Sequence, residues 1–135
     1  MVLYFKTTKD NSISTPMMDI SSYLAGWQQR TLQERRELEE RRQKAVHEAK
    51  RIAHFLGENI GAAKVIGIGS AFAPERFNRR SDIDLVVFGL PKGCYFSTLG
   101  QIMLMTNFEV DLIPYESASE LLKQRVAEEG VQLWP

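Results

Sequence analysis

Three short apolar runs in the second half of the chain restrict its fold more than any other feature. They are residues 64–69 (KVIGIG), 82–89 (DIDLVVFG) and 108–114 (FEVDLIP). Each is too short for a typical helix, is rich in Val and Ile, and is bounded by Gly, Pro or Asn, which is the pattern of buried strands. Between and after them, residues 95–105 and 117–129 read as helices. Ser117 is the expected N-cap of the second, with Glu120 at the capping-box position and Gly130 as its stop. Strands alternating with helices predict an α/β (α+β) fold, a small mixed sheet flanked by helices.

A long helix is expected ahead of this core. Leu38, Ala45, Ala49, Ile52 and Leu56 recur at intervals of seven, four, three and four, which places them on one stripe. The stretch QERRELEERRQK carries Leu38 as its only apolar residue, so most of that segment faces solvent or a partner. Glu37–Arg41 and Glu40–Lys44 have the spacing of favourable helical ion pairs. Gly57 and Gly61 mark the end of the helix, and Gly26 is a point where it could bend. Ser14, Thr15 and Asp19 are candidate caps and Pro16 suits a first turn. The expected organisation is a flexible arm or short strand over residues 1–15, the long helix over 16–58, and the core over 59–135.

Charge and cysteine content exclude several classes. Lys plus Arg and Asp plus Glu both number 17, so the basic excess of a dedicated nucleic-acid binder is absent, and direct nucleic-acid binding is not expected. Cys94 is the single cysteine, which rules out an intramolecular disulfide and a thiolate-rich metal site. It reads as a packed residue, as do Trp27 and Trp134. His47 and His54 are seven apart, two helical turns, and not at the i,i+4 spacing of a zinc pair. No apolar run is long enough to cross a bilayer, and the first residues do not read as a secretory signal, so a cytoplasmic location is the expectation.

The chemistry is concentrated in GSAFAPERFNRRSDIDLVVFG, residues 69–89. Residues i and i+2 of a strand point to the same face, ~6.6 Å apart, so Asp82 and Asp84 present two carboxylates together at the head of an apolar strand. Carboxylates in such surroundings need compensation, and a hard divalent cation supplies it. Asp111 repeats the pattern between Val110 and Leu112. Three acidic residues in strand context are the ligand type of a two-metal phosphoryl or nucleotidyl transfer site. Gly69 lets backbone approach a ligand closely, and the Ser70 hydroxyl can donate to a phosphate oxygen.

Gly-Ser, a loop, SDIDLVV and then a strand with VDLI resemble the minimal nucleotidyltransferase family of the DNA polymerase β-like superfamily. LLKQRVAEEGVQLW resembles the C-terminal helix and tail of these small proteins. The resemblance covers roughly residues 45–135. It implies that Gly69, Ser70 and Ser81 contact the nucleotide, that Asp82 and Asp84 ligate two Mg²⁺ ions, and that Asp111 ligates the catalytic metal beside the attacking hydroxyl. Asp111 could also help accept the hydroxyl proton. The family commonly carries a basic residue and a glycine shortly after Gly-Ser, whereas here Ala73 and Pro74 stand in those places. Arg76, Arg79, Arg80 and Lys92 are the candidate substitutes for the missing charge.

Two functions follow from the resemblance. One is a protein adenylyltransferase that moves AMP from ATP to a hydroxyl, as the antitoxin of a helical HEPN-type toxin that it modifies on tyrosine. The other is a binding module of the same fold that neutralises its partner by complex formation. An antibiotic-modifying enzyme is a distant third, because the chain lacks length for a drug-holding helical domain. Self-association through the N-terminal helix is a further expectation.

Overall fold

The protein is described here by a computed structural model covering residues 20–135. The candidate caps Ser14, Thr15 and Asp19, with Pro16, lie outside the described residues. The elements run in the order α1 (Ile20–Phe55), β1 (Lys64–Ile68), β2 (Ile83–Phe88), α2 (Tyr95–Met105), β3 (Val110–Pro114), α3 (Glu120–Glu129) and β4 (Val131–Trp134). The chain divides into two compact units, Met1–Glu37 and Leu38–Pro135.

In the first unit Gly26 does not interrupt the helix, and Ile20, Tyr23, Leu24, Trp27 and Leu32 are all exposed. Trp27 is therefore not the packed residue expected from the sequence. It belongs to an apolar stripe, spaced three and four apart, whose atoms remain in contact with solvent.

The second unit is built on a four-stranded sheet in the order β3-β2-β1-β4. β1 pairs antiparallel with both β2 and β4, and β2 pairs parallel with β3. Strand periodicity then sorts the side chains. Val65, Ile83, Leu85, Val87 and Leu112 fall on one face and pack with Ala45, Ala49, Ile52 and Leu56 of the N-terminal helical region and Ile102 of α2. Ile66, Ile68 and Val86 fall on the other, where Leu122 and Val126 of α3 cover them. A layer of helix on each face explains why β2 reads as an almost continuous apolar run.

Two boundaries differ from the expectation. α1 ends at Phe55, and residues 56–60 form one wider π-type turn that Gly61 closes at φ 92°. Gly57 sits under the Trp134 indole, where a Cβ would lie 1.9 Å from the ring, so Trp134 is a packing residue. The N-cap of α3 is Ser119, whose Oγ accepts from the Leu122 N–H at 3.1 Å. Ser117 instead ends a short 3₁₀ turn over Tyr115–Ser117 and donates to the Pro114 carbonyl, and Tyr115 in the same turn stacks on Phe88. β4 is not expected from the sequence at all.

Candidate active site

β2 carries Asp84 on the α3 side of the sheet, since Ile83, Leu85 and Val87 take the opposite face. Asp111 is its direct register partner on the parallel strand β3. Adjacent strands lie ~4.8 Å apart, so two carboxylates stand side by side where the sheet opens to solvent. Asp82 lies two residues earlier, just ahead of the strand, and is exposed, as is Asp111. Asp84 is half-buried. Burial first, and then the charges of Asp111 and Asp82, raise its pKa from 3.8 to about 6, while Arg125 acts in the opposite sense.

Gly69 joins this group through backbone geometry. It leaves β1 with φ 83°, and a Cβ built on it would fall 2.4 Å from Asp84 Oδ2. The carboxylate therefore occupies the space that only glycine leaves open. Ile68 is the register partner of Asp84, so the Gly69-Ser70 turn starts beside the acidic pair. Ser70 opens a 3₁₀ turn over Ser70–Phe72, and Pro74 opens a second over Pro74–Arg76. At a first-turn position the missing N–H of proline costs nothing within the turn. Ala71, Ala73 and Phe77 are buried and hold the loop down, and Arg42 donates to the Ala71 carbonyl at 2.9 Å. Ser81 is also buried. Its Oγ accepts the Asn78 N–H at 2.9 Å, a bond that closes the loop ahead of β2.

The candidate cations separate by topology. Arg76 pairs with Glu129 of α3 at 2.7 Å. Arg79 and Arg80 form an exposed turn. Lys92 follows the C-terminal end of β2, opposite to the end that carries Asp84, so it does not serve this site. Arg125 is not among the residues that the sequence singles out. Only the packing of α3 on the sheet brings Arg125 toward Asp84. His47 and His54 are exposed, and Cys94 is partly buried, with its Sγ donating to the Pro91 carbonyl. A separate cleft of about 520 Å³, lined by Glu40, Lys44, His47, Glu48, Asn107 and Phe108 among others, contains none of these acidic residues.

Among the described residues no three His, Cys, Asp or Glu side chains already enclose a metal-sized point. The donor set nonetheless fits magnesium. That ion takes oxygen ligands, is held by one or two carboxylates, and completes its shell with substrate phosphates and water. The mutual repulsion recorded in the raised pKa of Asp84 is what a bound cation would relieve.

No family model matches the chain, and no curated protein does. Solved structures match with an identity of 26–28%. One is an MntA–HpeT toxin–antitoxin structure with a double Asp-to-Glu change two positions apart. It has TM-score 0.55 and 27% identity, covering 64% of this chain and 72% of that one. A second is a toxin–antitoxin structure with AMP-PNP, at TM-score 0.52 and 28% identity, covering 64% and 72%. A third holds a tri-AMPylated Shewanella oneidensis HEPN toxin in complex with MNT antitoxin, at TM-score 0.51 and 26% identity, covering 67% and 71%. By fold and by sequence likeness, the chain is similar to the MNT antitoxins of these toxin–antitoxin structures.

Proposed function

We propose that the chain is a Mg²⁺-dependent adenylyltransferase that moves AMP from ATP to a tyrosine hydroxyl of a helical HEPN-type partner, and so acts as an antitoxin. The observation that carries this reading is the register pairing of Asp84 with Asp111, with Gly69 folded against the Asp84 carboxylate. It gives a strand-mounted oxygen-donor site next to the Gly69-Ser70 turn, and Gly69, Ser70 and Ser81 would contact the nucleotide. Asp82 and Asp84 would hold two Mg²⁺ ions, and Asp111 one of them. Bound there, magnesium supplies charge neutralisation for the triphosphate and its leaving group.

The remaining work falls to the chain itself. Asp111, exposed at the sheet edge, would orient an incoming hydroxyl and accept its proton as the P–O bond to AMP forms and pyrophosphate leaves. The i,i+2 spacing of Asp82 and Asp84 is also the spacing of the two aspartates changed in one neighbouring structure. An ATP analogue and an AMPylated toxin in two others support ATP as donor and a HEPN protein as acceptor. The exposed stripe of Ile20, Tyr23, Leu24 and Trp27 supports contact with a partner or a second copy through the first unit.

The test is incubation of the chain and its partner with α-labelled ATP and Mg²⁺. Label on a partner tyrosine is expected, and Asp82→Ala, Asp84→Ala and Asp111→Ala should each abolish it while remaining folded. Tight partner binding with no label, unchanged in all three variants, contradicts the enzyme reading and leaves a binding module.

A further inference from the structure

Two arginines converge on one glutamate at the C-terminal end of α3. Arg76 Nη2 donates to Glu129 Oε1 at 2.7 Å, and Arg125 Nε lies 3.7 Å from Glu129 Oε2. Arg76 belongs to the turn that follows Gly69-Ser70, and Arg125 and Glu129 are one turn apart on α3. The three side chains thus tie the loop on one side of the site to the helix on the other. All three stay between 39% and 49% exposed, so solvent and ligand can reach them. Leu122 and Val126 pack with Ile66, Ile68 and Val86, which sets α3 over the sheet face that carries Asp84 and Asp111. The charge of Arg125 is felt at Asp84.

Glu129 is an odd choice for its position. It is the last residue of α3, the end at which the helix dipole disfavours an anion. The two guanidinium groups offset that cost. Meanwhile the Gly69-Ser70 loop has Ala73 and Pro74 where a cation would serve a phosphate, and the nearby carboxylates repel any triphosphate. Guanidinium groups match phosphate oxygens with paired N–H donors, as they match a carboxylate.

We infer that Arg125 and Arg76 form the cationic half of the site and grip the triphosphate, and that Glu129 is the counter-ion they exchange for it. This rests on the nucleotide-transfer reading. Replacing one carboxylate by a polyphosphate keeps the charge-assisted hydrogen bond of Arg76 and the ion pair of Arg125, and adds charge attraction. Glu129 is then a competitor of the nucleotide, and Arg125 and Arg76 are binding residues.

Mg²⁺-ATP and, separately, Mg²⁺-tripolyphosphate are titrated by calorimetry into the full chain and its Arg125→Ala, Arg125→Lys, Arg76→Ala and Glu129→Gln variants. Arg125→Ala should weaken both probes about tenfold, with Arg125→Lys recovering part of the loss. Arg76→Ala should weaken them by a smaller factor, and Glu129→Gln should tighten both about threefold. That opposite sign separates a displaced counter-ion from a structural tie, and Arg125→Lys keeps the test valid if Arg125→Ala does not fold. Equal binding by wild type and the Arg125 variants overturns the inference, and so does weakening by Glu129→Gln. Arg125-dependent binding of tripolyphosphate without transfer to the partner keeps the clamp and removes the transfer reading. No binding of either probe removes the clamp.

Discussion

Asp84 holds its proton more tightly than an isolated aspartate because burial and the charges of Asp111 and Asp82 act together. The sign of the stability effect follows. The unfolded chain ionises this group near 3.8 and the folded chain near 6, so stability tied to the protonated form is complete below pH 3.8. It is lost as pH rises through 6. Solvent screening of a half-open site reduces the effect to ~1 kcal/mol. In chelator, wild type should therefore lose ~1 kcal/mol relative to Asp84→Asn between pH 4 and 6, read by urea unfolding at each pH. Parallel pH curves for the two proteins would show that the pKa of Asp84 is not raised. The three aspartates were legible in the sequence because a carboxylate within an apolar strand contradicts its surroundings. Arg125 and Glu129 were not, since nothing on a polar helix distinguishes one charge from the next until the helix is placed on the sheet.

At the scale of elements, the β1–loop–β2 unit depends on Gly69. Its φ of 83° and its contact with Asp84 both exclude a side chain. Gly69→Ala should lower stability by ~1–3 kcal/mol and remove Mg²⁺-ATP binding, which thermal unfolding with and without ligand would record together. An unshifted melting temperature with full binding would refute the close approach. α2 offers a contrast within one helix. Ile102 is fully buried while Leu104 is 90% exposed, and Phe96 and Met103 share its solvent face. Ile102→Ala should cost ~2–4 kcal/mol and Leu104→Lys less than ~0.5 kcal/mol, by denaturant unfolding. Equal costs would mean that the two faces are packed alike. The order of elements through α3 follows from the alternation of six- to eight-residue apolar runs with helical stretches. β4 escaped because VQLW is too short to show a period. It exists as a strand because β1 offers it an open edge.

On the scale of the whole molecule, residues 38–135 form the unit that carries the sheet, the loop and every candidate ligand. Its fold and its likeness to the MNT antitoxins agree with the acidic pattern in the sequence. Partner and acceptor are not written in these residues, because the carboxylates recognise a metal–phosphate unit and nothing in them selects a protein surface. Calorimetric titration of Mg²⁺ and AMP-PNP into wild type and Asp84→Asn tests the central claim, that the acidic cluster binds nucleotide through metal, most directly. Wild type should bind the analogue only when Mg²⁺ is present, and Asp84→Asn should bind it at least tenfold more weakly, a loss of ~1.4 kcal/mol or more. Equal binding by the two proteins, or binding that does not change when Mg²⁺ is removed, would contradict it.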